Sequence, residues 1–364
     1  MKNNKMKVKK ISSLFSKIAI VGILVLSGMS CAKKQNEIMP KTDPKSVSSA
    51  GARLSGFTWT AETATGSWLS SSFSSASNGF IAGVAGAIAK TVDGGVTYTA
   101  ITTAGTTNNL YTCYFLSSTK GFVAGDNNTF LTTNDGGSTW TIPTIPSGLG
   151  TLNYRGIYFF NSTIGFVTGG NGVILKTTDG GLTWALSNSG IPSTEPIYSV
   201  FFTDANNGHA GGGYGNIYKT TDGGATWTGK NIYYSRAVLS SIFFTSALRG
   251  YVTTSIGSPA VGDTSMIFNT TDGGATWTPL MLPLMPIVAL SSIKFFDASN
   301  GYMVGGNVAN NTGIVLSTTN GGVTWVSESI PSSHRFTGLS LVTVSPGNGF
   351  ACAVGLNNLV LKGQ

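Results

Sequence analysis

Charge is scarce in this chain. Asp, Glu, Lys and Arg make up 10% of its 364 residues, against roughly 25% in an ordinary globular domain, and the imbalance is confined to one end. The formal charge of +8 owes much to six lysines among the first 30 residues, where no acid stands. From Arg53 onward 12 basic residues face 12 acidic ones. A neutral domain has no electrostatic footprint for a phosphate backbone, so nucleic acid is excluded as a partner. Histidine is equally sparse, at two. His209 falls inside a strand pattern and His334 in a loop. Two isolated imidazoles make no dedicated zinc site without carboxylate or thiolate help, so both read as packing or surface residues, and no metal or cofactor is expected. A glycine-rich phosphate loop is missing too: the Gly-Gly pairs follow an Asp in a hairpin pattern instead of joining a strand to a helix. Helical periodicity is absent after the first 30 residues. The 49 glycines, in Ser/Thr-rich surroundings, point to many short strands and tight turns. The expected fold class is all-β, as a single domain despite its length.

Lys2, Lys5, Lys7, Lys9, Lys10 and Lys17 surround the start of an apolar run, Ile18 to Met29, which is too short to span a bilayer comfortably. It ends in Leu-Ser-Gly-Met-Ser-Cys. This resembles a bacterial lipobox, with Gly28 where that motif usually carries Leu or Val. The expectation is a lipoprotein-type signal peptide over 1–30, a lipidated Cys31 opening a polar, two-proline flexible tether over 31–52, and a folded domain over 53–364. Ordinary signal cleavage or an uncleaved anchor are the alternatives. The lipidated form is expected as an exported, membrane-anchored lipoprotein of the outer membrane, periplasm or cell surface. Cys113 and Cys352 lie in apolar strands far apart in the repeat order and are expected as free buried thiols.

Self-similarity dominates the remainder. TVDGGVTY, TTNDGGSTW, TTDGGLTW, TTDGGATW (twice) and TTNGGVTW recur. Their key residues are Asp93, Asp135, Asp179, Asp222, Asp272 and Asn320, at intervals of 42 to 50 residues. That is the length of one four-stranded propeller blade. In each unit an apolar inner strand such as Gly156–Phe160 is followed by a turn ending in Gly, then Gly165–Thr168, Val173–Lys176 and, after the Asp-Gly-Gly turn, Leu182–Trp184. Six units are complete. The chain stops at Leu359–Lys362, a third strand, and the missing fourth stands at the other end as Gly56–Thr60, with Trp59 matching Trp184. The expected fold is therefore a seven-bladed β-propeller of four-stranded blades, the last closed by the N-terminal strand so that no sheet edge is left open. Nine positions before the Gly of the first turn stand Ser70, Thr112, Gly156, Ser199, Ser241, Ser292 and Ser340, all small, as strands converging on an axis require. Three residues later comes Phe in six blades and Thr343 in the seventh.

An Asp in such a turn accepts hydrogen bonds from nearby backbone N–H groups, while the glycines take positive φ at little cost and the Trp folds back over the hairpin. Carboxylates spread over five blades cannot form one site, so these turns read as structural. Asn320 can fasten the same turn without charge. Asp126, Asp204 and Asp297 also read as turn formers. Glycoside hydrolysis would need two carboxyl groups facing across a bond, for which Glu62, Glu195, Asp263 and Glu328 remain, with Glu195 and Asp263 the residues a test would address. A sialidase-like site would also need an arginine cluster and a Tyr nucleophile, and no Phe-Arg-Ile-Pro element is present. Catalytic residues are accordingly not assigned. Long loops on the face that feeds the inner strands carry Tyr, Met and Arg, the side chains enriched at protein–protein hot spots. The candidates for a partner-binding face are Tyr154, Arg155, Tyr233, Tyr234, Arg236, Met281, Met285, His334 and Arg335.

The stretch GNGVILKTTDGGLTW, residues 170–184, is echoed in GYGNIYKTTDGGATW at 213–227. Both resemble the photosystem II assembly and stability factor family of propellers, over about residues 53–364. The resemblance implies a non-enzymatic, membrane-associated propeller that binds a newly made protein subunit and supports assembly of a membrane complex. That family's binding face is known for an arginine-rich patch, for which Arg155, Arg236 and Arg335 are the available residues. The same Asp-box turns occur in sialidases, xyloglucanases and sortilin-type receptors, so carbohydrate binding or hydrolysis at the cell surface is the alternative.

Overall fold

The computed structural model describes residues 57–102, 104–232, 237–256, 266–280, 288–307, 310–331, 334–345 and 348–364. The expected signal peptide, Cys31 and the expected tether lie outside them. Seven antiparallel sheets follow one another along the chain, each a meander whose first strand is innermost. Blade three is representative: Tyr154–Phe159, Gly165–Gly169, Ile174–Thr177 and Ala185–Leu186. Blade two has three full strands, and its fourth is reduced to a bridge between Thr132 and Thr141. In blade seven the N-terminal strand Trp59–Thr63 pairs with the C-terminal strand Leu359–Gly363, from Trp59↔Gly363 to Thr63↔Leu359. The two ends of the chain share one sheet, and the ring is closed.

The fourth strand of blade three begins later than the sequence pattern suggests, at Ala185 instead of Leu182. The reason is the Asp turn. The N–H groups of Leu182 and Thr183 donate to Asp179 Oδ1, both at 3.0 Å, and Thr183 Oγ1 donates to Oδ2. These residues are held by the carboxylate and are not free for the ladder. Two residues before the Asp, Thr177 Oγ1 donates to Asp179 Oδ1 at 2.7 Å and accepts from Gly181 N–H at 2.8 Å. The same buried Thr recurs as Thr91, Thr133, Thr220, Thr270 and Thr318. The repeating device is thus Thr-x-Asp-Gly-Gly-x-Thr, with the first Thr as its pivot. Asn320 makes the same contacts: its Oδ1 accepts from Thr318 Oγ1 and Thr324 N–H, and its Nδ2 donates to Thr324 Oγ1. Gly181 sits at φ +86° against the ring of Phe122, where a side chain would be both strained and obstructed.

Aromatic rings weld the blades. The residue after the first-turn Gly stacks on the Phe ending the next blade's inner strand: Phe122 on Phe159 (5.0 Å), Phe166 on Phe202 (4.0 Å), His209 on Phe244 (4.4 Å) and Tyr251 on Phe295 (5.1 Å). In blades two to six the Trp of the turn closes edge-on over this stack. Trp184 meets Phe122 and Phe130 of the preceding blade as well as its own Phe159, so it seals the seam between blades in addition to covering its hairpin.

The inner strands are joined by hydroxyl groups. Cys113 N–H donates to Ser70 Oγ and Phe115 N–H to Ser72 Oγ. Tyr114 OH reaches Phe159 O, and Tyr158 OH reaches Phe202 O. Ser199 Oγ donates to Leu239 O, Ser240 Oγ to Leu290 O and Ser291 Oγ to Phe336 O. Thr337 Oγ1 donates to Trp68 O and completes the circuit. All seven blade junctions carry at least one such bond, each worth about 1 kcal/mol net. The small residues near the axis therefore supply cohesion as well as room.

Blade seven departs from the expected register. Its inner strand Phe336–Ser345 pairs Gly338 with Val354 after a bulge at Phe336/Gly338, as Ser70 pairs with Ala82 after the bulge at Trp68/Ser70. A Cβ on Gly338 would meet Ser70 Cα of the adjoining blade, as one on Gly156 would approach Ser199 Cα. Gly338, not Ser340, is the small residue of this blade. Spacing from Gly349 points to Ser340 because the first two strands of this blade, Phe336–Ser345 and Asn348–Gly355, are longer at the far end.

Candidate partner-binding face and axial channel

All seven inner strands start from one face, and their starts surround the mouth of an axial channel. Leu69, Tyr111, Arg155, Tyr198, Ser240, Ser291 and Thr337, each directly preceding the small residue of its blade, rim that mouth. The channel beneath has a volume of about 340 Å³ and is lined largely by Ser, Thr and aromatic side chains. The Asp turns join third and fourth strands and hence sit at the opposite end of the blades.

Arg155 is the charged member of the rim. Its guanidinium carbon lies 3.9 Å from the centre of the Tyr111 ring, a stacking contact that holds the cation in one orientation. Tyr111 is itself anchored: its hydroxyl donates to Asp126 Oδ2 at 3.0 Å, and Asn109 Nδ2 donates to the same oxygen at 3.1 Å. Asp126 accordingly supports the face with its side chain, while its carbonyl accepts from Thr129 N–H at 3.0 Å and closes the turn its sequence context suggests. Asp204 and Asp297 do cap their own turns through the N–H groups of Asn206 and Asn207, and of Ser299 and Asn300. On the other side of Arg155, burial raises the pKa of Tyr198 while the guanidinium pulls it back. No carboxylate among the described residues forms an ion pair with Arg155, whose N–H edges remain available to an incoming acceptor.

The other expected face residues fare differently. Tyr154 is fully buried against Phe130, in one cluster with Ile157 and Phe159, because the bulge at Arg155, between the pairs Gly169↔Tyr154 and Thr168↔Gly156, resets the alternation of the strand; it cannot present its ring to a partner. His334 and Arg335 are half-buried at the entry to blade seven, and Arg335 packs along Gly306 of blade six. Tyr233, Tyr234, Arg236, Met281 and Met285 lie outside the described residues, as does Asp263. Glu195 is buried, with Oε2 accepting from Asn216 Nδ2 at 3.0 Å, and burial raises its pKa. Its Oε1 is buried without a partner. His209 is a packing residue in the column otherwise filled by Phe and Tyr, with Nε2 3.2 Å from Gly273 O. Cys113 and Cys352 are free and buried, and burial pushes both thiols up to about 12. No cluster of His, Cys, Asp or Glu able to hold a metal ion occurs among the described residues. Tyr111 and Tyr198 were not singled out in the sequence, though reading one position upstream of the small-residue column would have found them.

Fold and site together define a seven-bladed Asp-box propeller with a hydroxyl-lined channel and an arginine clasped at its mouth. The family it resembles is the one described as Photosynthesis system II assembly factor YCF48, which matches residues 100–189, a span that contains the 170–184 stretch quoted above. Among solved structures, YCF48 bound to D1 peptide superposes with a TM-score of 0.63 at 20% identity, covering 85% of this chain and 97% of that one. YCF48 from Cyanidioschyzon merolae gives 0.65 at 16%, covering 84% and 98%. The GH74 xyloglucanase from Xanthomonas campestris gives 0.66 at 13%, covering 84% of this chain and 53% of the enzyme. At these identities the likeness is one of fold. No curated protein matches the chain.

Proposed function

We propose that this chain is a non-catalytic propeller that binds a protein partner across the channel mouth and supports assembly or stability of a membrane complex, held at an exported membrane surface by lipid on Cys31. The observation that carries the reading is Arg155, stacked on an anchored Tyr111 and unpaired on a concave rim. A preorganised guanidinium beside aromatic surface suits the carbonyls and carboxylates of a peptide segment. The solved YCF48–D1 peptide structure supports a peptide ligand for this architecture. Pull-down from membranes with wild-type and Arg155→Ala chains tests the face: a partner retained equally by both would remove it. Labelling cells with an alkyne fatty acid tests the anchor, since Cys31→Ala must lose the label.

The second reading is carbohydrate binding or hydrolysis, favoured by the xyloglucanase likeness and by the unpartnered oxygen of Glu195. Against it, no Asp or Glu among the described residues lines the mouth or the channel, whereas glycosidic cleavage uses two facing carboxyl groups. A glycan array with a hydrolase panel separates the readings. Turnover lost in Glu195→Gln would establish the second.

A further inference from the structure

Beneath the rim, one charged side chain enters the channel. Lys294, on blade six's inner strand, lines the cavity with its ammonium 6.0 Å from the centre of the Phe243 ring. Burial depresses its pKa: the group has lost bulk water without gaining a carboxylate, because no acid among the described residues lines the channel or its mouth. A desolvated cation with no counter-charge is costly. An anion taken from solution would offset that cost.

The hydroxyl groups nearby are suited to complete such a site. Serines that donate to backbone carbonyls, such as Ser240, have spent their proton. Ser241, on the adjoining inner strand of blade five, instead accepts from Ile293 N–H, immediately before Lys294. A hydroxyl that accepts keeps its own O–H for a ligand. Lys294 and Arg155 are the charged groups of the lining, one deep and one at the mouth, and both are cations, which favours an anion over a cation in the channel. The volume of about 340 Å³ holds a small ion together with several waters, at ~30 Å³ per water.

We propose that the axial channel binds a monovalent anion, chloride or a short carboxylate such as acetate, at Lys294 with hydroxyl donors from the neighbouring inner strand. One ammonium balances one negative charge; a divalent ion would carry an uncompensated charge into the same desolvated space. This site is independent of partner binding at the rim.

The test is thermal unfolding of the purified chain at constant ionic strength, with gluconate as the reference salt. Replacing gluconate by chloride, bromide or acetate raises Tm by on the order of a few °C, in a saturable manner. Sulfate gives less, and Lys294→Met abolishes the response. A response equal in Lys294→Met, or one that tracks ionic strength alone, overturns the proposal. Should Lys294→Met fail to fold, anomalous scattering from bromide-soaked wild-type crystals decides. A bromide peak at contact distance from Lys294 Nζ supports the site, and an empty channel refutes it.

Discussion

Phe57 and Tyr302 lie face to face, ring centres 5.1 Å apart and planes 8° from parallel. Elsewhere the partner of such a ring comes from the end of the next blade's inner strand, but blade seven has no Phe in that column. The N-terminal segment supplies the ring instead. Trp59 then closes edge-on over Tyr302 at 5.7 Å, as Trp184 closes over Phe122. The strand that seals the ring thus brings both aromatic parts of the junction with it.

Removing that ring should be costly. Phe57 is 6% exposed, and truncating a buried Phe to Ala typically costs about 3–5 kcal/mol. Phe57→Ala is expected to lower stability by that amount in urea unfolding, with Phe57→Leu losing less. A loss under about 1 kcal/mol would mean that the N-terminal strand contributes pairing without packing.

The latch Thr allows a sharper experiment, because Thr and Val have nearly the same shape. Thr177 Oγ1 serves Asp179 and Gly181 N–H while almost fully buried. Thr177→Val leaves the Gly181 donor without its partner, at about 1–3 kcal/mol. Asp179→Asn should cost much less, because Asn320 already fastens a turn of the same design. Finding the Asn variant the more damaging of the two would shift the pivot from the Thr to the carboxylate.

The blade count and the shared terminal sheet were legible because a propeller repeats its turn chemistry every blade, and six copies fix the period. Local register was less legible. Gly338 was misplaced because strand length changes silently in a single blade, and the alternation that marks a strand does not mark its length. The fourth strand of blade three was started early because Leu182–Trp184 is apolar enough to pass for strand while its N–H groups serve Asp179. Hydroxyl bonds between inner strands leave no signal beyond small polar residues, which crowding alone already explained. At the face, a bulge that leaves no mark in the apolar pattern sets which neighbour points outward: Tyr154 and Arg155 are adjacent, yet one is core and the other rim.

The thiols offer a probe of the core. Burial lifts Cys113 and Cys352 to about 12, and the thiolate is the reactive form. Neither should react with iodoacetamide at pH 8 in the native protein, and both should react in urea. Labelling of Cys352 alone under native conditions would reveal opening at the blade seven–blade one junction, where it meets the Tyr98 hydroxyl at 3.6 Å.

Acid should destabilise the protein in two separable stages. His209 occupies a ring position inside the blade four–blade five junction, and burial, followed by the nearby Lys219 charge, lowers its pKa from 6.5 to about 4. Its Nε2 and the Lys219 ammonium converge on the carbonyl of Gly273, so a proton on His209 would place a second cation there. The unfolded chain binds that proton near pH 6.5 and the folded one only near 4. Stability is therefore full above pH 6.5, falls by about 3 kcal/mol as pH drops to about 4, and stays level below. The latch carboxylates act lower. Asp93, Asp135, Asp222 and Asp272 are held at about 2 by hydrogen bonds from the Thr four residues on. Their contribution is present above about pH 4 and lost as pH falls toward 2. Urea midpoints measured from pH 7.5 to 2.5 should show both descents in the wild type. His209→Phe, which installs the ring used in blades one to three, should erase the upper descent and leave the lower intact. An upper descent that persists in His209→Phe would assign it to another group.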